Sequence, residues 1–162
     1  MVHNTVIEDK LAIQELMAQY SFSLDFGDIE AFVNCFTEDA VYETPLKTFK
    51  GSSGLRQFVY ENAAERREHP IRHVVTNLIV DVQADRATAK AYFLFLRVFP
   101  ELPESIQFLT TGVYMDELKK TRGAWRFSHR KAVPDSIAWA KKVYPAYYLE
   151  KNEWEQKITK SK

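Results

Sequence analysis

The hydrophobic pattern of the chain changes period once, near Pro70, and this change constrains the fold more than any other feature. Before Pro70, apolar residues recur at helical spacing, as Ile13, Met17, Tyr20 and Leu24 do. After it, polar and apolar residues alternate with the period of two that is typical of β-strands. Helices followed by a run of strands favour an α+β fold, with the helices packed on one face of a curved antiparallel sheet.

The segment before Pro70 predicts three helices and one short strand. The first helix covers residues 7–24, and Gly27 is placed to end it. Asp28 can cap a short second helix, and residues 37–39 are expected to turn the chain into a strand at residues 40–44. The third helix is expected to open in the Gly-Ser-Ser-Gly segment at residues 51–54.

Four long strands are predicted after Pro70, separated by short turn-prone segments. Successive strands joined by short links pair antiparallel, so we expect a meander. The predicted strands lie at residues 71–83, 87–99, 106–118 and 124–133.

A chain of 162 residues can bury one core but not two, so we expect a single domain over residues 1–162. Within it, residues 134–162 form an aromatic, charged tail that we expect to close a pocket or pack on a neighbouring subunit. Basic and acidic residues number 22 each, and this neutral balance argues against nucleic acid or an anionic membrane as a partner. The expected partner is a small hydrophobic molecule.

Several classes of protein are disfavoured by what the sequence lacks. The single cysteine, Cys35, stands in an apolar run and is expected to be a core thiol. No phosphate loop, dinucleotide motif, nucleophile turn or metal-ligand spacing occurs, so we expect no metal and no cofactor. No apolar run approaches a membrane span and no secretory signal is visible at the N-terminus, which predicts a cytoplasmic protein.

Asp25 and His73 are the first candidates for chemistry. Strand alternation places His73 on one face with Val75, Asn77 and Ile79, and leaves an ordinary core face on the other side with Val74, Thr76, Leu78, Val80 and Val82. A carboxylate on one ring nitrogen would make the other nitrogen a better base, and Asp25 could supply it. The spacing leaves open that His73 is a hydrogen-bonded core residue and Asp25 a turn former.

The remaining candidates are polar-tipped residues for which core packing is an open alternative. The Tyr20 hydroxyl could donate to negative charge on a substrate oxygen or protonate a leaving group. Others could line the same pocket, with His129 expected on the face of the last strand shared with Trp125 and Phe127. These candidates are Tyr42, Asn77, Tyr92, Tyr114 and His129.

Four segments together carry a family resemblance: residues 12–28, 36–42, 72–77 and 123–130. They resemble the scytalone dehydratase-like branch of the SnoaL-like, NTF2-like superfamily. The resemblance implies a cone in which a strongly curved, mostly antiparallel sheet wraps around three N-terminal helices and encloses an apolar pocket. It also places Asp25 and His73 at the positions of an aspartate–histidine base, and Tyr20 at the tyrosine of a bile-acid 7α-dehydratase.

The chain also departs from that pattern. A second pocket histidine is expected on the next strand, but residues 92–98 contain none, and Leu24 stands where scytalone dehydratase has a tyrosine. The hexachlorocyclohexane dehydrochlorinase of this branch has a lysine in place of Tyr20 and a tryptophan in place of Tyr42. The base pair therefore transfers to this chain, whereas the substrate does not.

Together these points predict a cofactor-free lyase, dehydratase-like, or an isomerase that acts on a small, hydrophobic, cyclic substrate. The resemblance leaves open a non-catalytic binding module, such as the β subunit of a ring-hydroxylating dioxygenase. An epoxide hydrolase or a polyketide cyclase of the same superfamily ranks lower. The resemblance and the aromatic tail imply a homo-oligomer, a trimer first and a dimer second.

Overall fold

The fold is known from a computed structural model that describes residues 2–61, 70–99 and 106–138, with the backbone alone for residues 2–5. Three helices precede the long strands, and the sheet has six strands in the order β2-β1-β6-β5-β4-β3. Strand β1 is parallel to β6, and every other neighbouring pair is antiparallel. The elements are α1 (Val2–Phe26), α2 (Ile29–Asn34), β1 (Phe36–Glu43), β2 (Thr48–Lys50), α3 (Gly51–Glu61), β3 (Ile71–Gln83), β4 (Arg86–Val98), β5 (Ile106–Thr121) and β6 (Ala124–Pro134).

The α+β class, with helices first and a curved sheet after them, is therefore confirmed. Two details before Pro70 were wrong. Residues 37–39 lie inside β1 rather than in a turn, and the three-residue strand β2 was not predicted. Strands β1 and β2 pair with each other at one end of the sheet. The sequence of a short segment does not reveal that it will find such a partner strand.

The junction of α1 and α2 follows the predicted capping. Gly27 has φ of 74°, and its N–H donates to the Leu24 carbonyl at 3.3 Å. The Asp28 N–H donates to the Ser23 carbonyl at 2.9 Å, which completes a Schellman motif. The Asp28 carboxylate then accepts from the Ala31 N–H at 3.0 Å and starts α2. This junction fixes the end of α1, where Asp25 lies.

The hydrophobic core lies between the helices and the inner face of the sheet, and much of it is aromatic. The Tyr20 ring packs within about 6 Å of four other rings, those of Phe32, Phe36, Tyr114 and Phe127. Cys35 is buried, as expected of a core thiol, and burial raises the pKa of its thiol to about 11. At neutral pH this thiol is a packing group, not a nucleophile.

A bulge in β3 overturns the predicted faces of that strand. Thr76 pairs with Tyr92 and Ile79 with Lys90, so three steps along β3 match two along β4. Asn77 takes up the extra residue with φ of 55°, a conformation that asparagine tolerates. Leu78, Val80 and Val82 consequently join His73 and Val75 on the inner side, while Val74 and Ile79 are 44% and 65% exposed. Thr76 is exposed as well.

A second bulge, in β6, reverses the face of His129. Glu117 pairs with His129, but the next residue of β5 pairs with Phe127, which leaves Ser128 as the extra residue. Trp125 and Phe127 point into the core as predicted, whereas His129 points away and Arg130 takes the inner position. One inserted residue reverses the face of every residue that follows it, because successive side chains alternate between the two faces of the sheet.

The predicted C-terminal tail is described only as far as Ala138. Its first residues are tied to β5, since the Asp135 N–H donates to the Thr111 carbonyl at 2.8 Å and the Thr111 hydroxyl bonds the Asp135 carboxylate at 2.5 Å. Residues 139–162, on which most of the tail prediction depends, lie outside the described residues. Of the helices in the described segments, none is long and apolar enough to cross a membrane.

Candidate active site

Asp25 and His73 lie in direct contact, 48 positions apart in sequence. One carboxylate oxygen, Oδ1, is 2.6 Å from His73 Nδ1, and the other, Oδ2, accepts from the His73 backbone N–H at 2.9 Å. Both side chains are largely buried, 6% exposed for Asp25 and 11% for His73. The carboxylate stands at the negative end of the α1 dipole, where two donors offset the cost of its charge.

The contact assigns the protons of the imidazole ring. Because a carboxylate only accepts, Nδ1 carries a hydrogen, and in the neutral ring the lone pair is therefore on Nε2. No described residue hydrogen-bonds Nε2. The ring is held flat against Phe95, with centroids 4.7 Å apart and planes 19° from parallel. An imidazole fixed in this tautomer and orientation can act as a general base.

His73 lines an apolar cavity of about 110 Å³. The cavity lies between the inner face of the sheet, the end of α1, α3 and the loop that joins β1 to β2. Six aromatic side chains form much of its wall: Tyr42, Phe49, Phe58, Phe93, Phe95 and Tyr114. Three lining residues have polar side chains, namely Thr44, Lys47 and Thr110. An apolar chamber with a few placed polar groups is the usual form of a small-molecule site.

Phe93 reaches its place in the wall because the residue opposite on β5 is a glycine. A Cβ on Gly112 would lie 2.5 Å from Phe93 Cζ and 2.5 Å from the Val133 carbonyl oxygen, which is far inside van der Waals contact. The Phe93 ring therefore lies across Gly112 and stacks on Tyr114, with centroids 4.5 Å apart. This close approach sets one side of the cavity.

Three tyrosines converge beside the cavity. The Tyr20 and Tyr42 hydroxyls are 2.8 Å apart, and the Tyr20 and Tyr114 ring centroids are 5.8 Å apart. Tyr42 and Tyr114 line the cavity, whereas Tyr20 is fully buried behind them and is not among the lining residues. Burial raises the pKa of Tyr20 and of Tyr114 well above the ordinary phenol value, so both remain protonated donors.

A buried ion pair supports this cluster from behind. Arg130 Nε and Nη2 donate to the two Asp116 carboxylate oxygens, each at 2.8 Å, and neither side chain is exposed. The guanidinium lies 4.0 Å from the Tyr20 ring centroid, 4.2 Å from that of Tyr114 and 4.0 Å from that of Phe127. Burial opposes the positive charge, but Asp116 more than compensates and raises the pKa of Arg130 above its ordinary value. The pair positions the phenols without lining the cavity.

Three of the predicted pocket residues lie elsewhere. Tyr92 is 55% exposed on the outer face of β4, because Phe93 and Phe95 occupy the inner face. Asn77 is exposed at the β3 bulge and faces a groove against α1 rather than the cavity. His129 lies on the outer face of the sheet, where its Nε2 is 2.7 Å from Glu43 Oε1. None of these three side chains lines the cavity, and their assignment to substrate binding stays a prediction.

The sequence reasoning also missed residues that the fold brings to the site. Phe93, Phe95 and Lys47 line the cavity, and Arg130 and Asp116 lie behind it. One signal for Asp116 was present, since it shares a period-two row with Tyr114 and Leu118, and a charge on a buried face calls for a partner. Arg130, the partner of Asp116, could not be predicted from a period-two row of this kind, because the bulge at Ser128 changes the alternation just before Arg130.

Residues 5–131 match the family described as a SnoaL-like domain. No curated protein matches the chain. The match covers the helices and the sheet except the first residues of α1 and the last residues of β6, so it includes Asp25, His73, Tyr20, Tyr42 and Tyr114.

Solved structures share the fold. A variant of a protein of unknown function from Mycobacterium tuberculosis is 29% identical, over 80% of this chain and 78% of that chain, with a TM-score of 0.71. An NTF2-like protein with a cystatin-like fold from Novosphingobium aromaticivorans is 23% identical over 88% and 93%, with a TM-score of 0.74. A protein from the same organism, proposed as the β subunit of an aromatic-ring-hydroxylating dioxygenase, is 19% identical over 82% and 92%, with a TM-score of 0.69. The last two likenesses concern the fold alone.

Proposed function

This chain belongs to the SnoaL-like domain family, and from that membership we propose that it is a cofactor-independent lyase of the dehydratase type, or an isomerase, with an Asp25–His73 base. The substrate class is a small, hydrophobic, cyclic molecule that carries a carbonyl or hydroxyl group. The observation that carries the proposal is the two-point contact of the Asp25 carboxylate with the His73 ring and backbone, beside an apolar cavity.

In the first step, His73 Nε2 removes a proton from a carbon next to the carbonyl of the bound ring. The C–H electron pair forms a C=C bond to the carbonyl carbon, the C=O π pair moves to oxygen to give an enolate, and His73 becomes an imidazolium that stays paired with Asp25. A general base placed in this way supplies about 10²- to 10⁴-fold in rate. Both outcomes begin from this enolate.

The second step separates a dehydratase from an isomerase. In a dehydratase the enolate expels a hydroxyl group from the neighbouring carbon, the hydroxyl takes the proton back from the imidazolium, and water leaves. In an isomerase the substrate has a C=C bond on the far side of the deprotonated carbon, the enolate extends over that bond, and the imidazolium returns its proton to the far carbon of the bond. In both, Tyr42 and Tyr114 donate hydrogen bonds to the oxygen that gains charge, and Tyr20 supports Tyr42 through the 2.8 Å contact of their hydroxyls.

The first step can be tested without knowing the natural substrate. Cyclohexanone and cyclohexenone serve as probes, and NMR follows the exchange of their α-protons in deuterium oxide. We expect the wild-type protein to accelerate the exchange and His73→Ala to lower that acceleration by about 10²- to 10⁴-fold. Asp25→Asn should cause a loss in the same range. The amide N–H of the asparagine can donate to Nδ1, which places the ring hydrogen on Nε2 and removes the lone pair that acts as the base.

The chain offers a matched control in its second histidine–carboxylate pair. His129→Ala removes an imidazole that is also bonded to a carboxylate but lies outside the cavity, so it should leave the exchange rate unchanged. Each variant should keep the thermal unfolding transition of a folded domain. A wild-type protein that exchanges no faster than His73→Ala would contradict the proposal and would favour a non-catalytic subunit or binding module.

A further inference from the structure

The wall of the cavity contains one full positive charge among its described residues, that of Lys47. Lys47 lies in the loop between β1 and β2, at the rim. The surrounding lining is otherwise apolar or neutral, apart from His73 at the base pair. A cation at the edge of an apolar chamber is costly to keep unless a counter-charge approaches it.

The backbone of Lys47 is held firmly. The Thr44 N–H and hydroxyl both donate to the Lys47 carbonyl, at 3.0 and 2.8 Å, and the Thr44 hydroxyl accepts from the Lys47 N–H at 3.0 Å. Pro45 lies inside this tight loop and limits its freedom further. The turn therefore fixes the root of the side chain at the rim while the four-carbon stem remains able to swing.

The partner that Lys47 has now is one that a ligand can replace. Its Nζ is 3.2 Å from Glu61 Oε1 and 4.9 Å from the centroid of the Phe49 ring. The two charged side chains are 32% and 23% exposed, and a pair of this kind contributes little stability in water. Glu61 also accepts from Gln57 Nε2 at 2.6 Å, so it keeps a donor when the lysine turns away.

The size and the walls of the cavity limit the body of the ligand. An engineered cavity of about 150 Å³ holds one benzene molecule, so the space of about 110 Å³ within these walls encloses no more than one ring. Six aromatic side chains offer faces and edges to such a ring.

We propose that the cavity takes a single six-membered ring that carries a carboxylate, with the ring among the aromatic side chains and the carboxylate on Lys47 Nζ. This rests on the proposed function, since the same ring would lie beside His73, and it narrows the substrate to a monocyclic acid. Lys47 is then the residue that selects the acid over neutral analogues.

Benzoate and benzamide are suitable probes, because they share ring and shape and differ in charge. Titration calorimetry with the full chain should give wild-type protein an affinity for benzoate at least about tenfold higher than for benzamide, the ratio expected of one charge-assisted hydrogen bond. Lys47→Met should lose this preference, and Lys50→Met, which removes an exposed lysine of β2, should keep it.

Two further variants separate this proposal from its alternatives. Glu61→Gln removes the competing carboxylate and should raise the affinity for benzoate, an outcome that a merely structural ion pair would not produce. His73→Ala should lower the acceleration of proton exchange as described above and keep the preference for benzoate, so a failure of the base mechanism and a failure of the lysine site give different results. No saturable benzoate binding by the wild type, or a preference that survives in Lys47→Met, would overturn the proposal.

Discussion

Two histidine–carboxylate pairs of nearly equal length occur in the described chain, and their surroundings give them different chemistry. The His73–Asp25 contact is 2.6 Å and the His129–Glu43 contact is 2.7 Å. The first pair is 11% and 6% exposed, beside an apolar cavity, and the second is 34% and 35% exposed, on the outer face of the sheet. Water screens the outer pair, so only the inner pair can hold a base in a fixed orientation against a bound molecule.

The three clustered tyrosines, Tyr20, Tyr42 and Tyr114, predict that removing different hydroxyl groups lowers the exchange rate by different amounts. Tyr42→Phe removes a hydroxyl on the cavity wall and should lower kcat for proton exchange by about 10²-fold, the usual cost of one oxyanion donor. Tyr20→Phe removes only the support behind Tyr42 and should cost about tenfold or less. Steady-state exchange kinetics on both variants, with KM measured separately, check this order. If Tyr20→Phe were the more damaging change, Tyr20 itself would be the donor to substrate.

At the scale of the elements, the sequence predicts most of the architecture. The shift from helical to alternating period gave the three helices and the four long strands within a few residues, because burial of one face imposes the same period on the sequence. The family resemblance placed Asp25 and His73 at the positions of an aspartate–histidine base, but the sequence left open whether the two side chains are in contact. A bulge leaves no comparable pattern in the sequence, because one unpaired residue interrupts the hydrogen-bonded ladder without changing the composition of the strand.

The two bulges account for most of the differences between the predicted pocket and the cavity. Those at Asn77 and Ser128 moved Asn77 and His129 out of the predicted pocket and placed Arg130 in the core. Tyr92 lies outside the cavity for a different reason. The alternation of β4 is regular there, and Phe93 and Phe95 occupy its inner face. An aromatic residue with a polar tip fits either face, and the neighbouring strands decide between them.

The packing of α1 against the sheet makes a prediction about pH. Asp9 Oδ1 accepts from Lys120 Nζ at 2.7 Å and from Trp125 Nε1 at 2.8 Å, which ties the first turns of α1 to β5 and β6. Burial raises the pKa of Asp9, but these two donors outweigh it and hold the pKa below its ordinary value. The stabilisation is therefore complete above the ordinary carboxyl pKa of about 4 and is lost as the pH falls through the lower folded value.

Asp9→Asn should accordingly lower the free energy of unfolding at neutral pH by about 1 kcal/mol. Urea unfolding from pH 7 down to about pH 3 measures the difference from wild type, which should shrink as the pH falls. Glu15→Gln, on an exposed position of the same helix, is the control and should change little at any pH. A difference that is constant or that grows on acidification would mean that the charge of Asp9 is not what stabilises this contact.

For the whole molecule, the unusual feature is a helix that is apolar on two sides. The inner side of α1 carries the buried residues Ile13, Met17, Tyr20 and Leu24, while an outer stripe of Ile7, Leu11, Phe22 and Phe26 is 59% to 69% exposed. Phe22 and Phe26 stack with parallel rings 6.1 Å apart, and Ile79 on the edge strand β3 is 65% exposed. An exposed apolar surface of this extent is typical of an interface between chains.

The proposed homo-oligomer, a trimer first and a dimer second, can be tested on this stripe. Sedimentation equilibrium should give the wild-type protein three times the mass of the chain, and Phe22→Glu should shift it toward the monomer, because burying a lone carboxylate in an apolar contact costs several kcal/mol. Tyr60→Glu, at a 76% exposed position of α3, should leave the assembly intact and controls for the added charge. A stable wild-type monomer would contradict association altogether. A stable dimer that Phe22→Glu dissociates would keep the stripe as the interface and replace threefold with twofold symmetry, in which each copy of the stripe contacts its own equivalent.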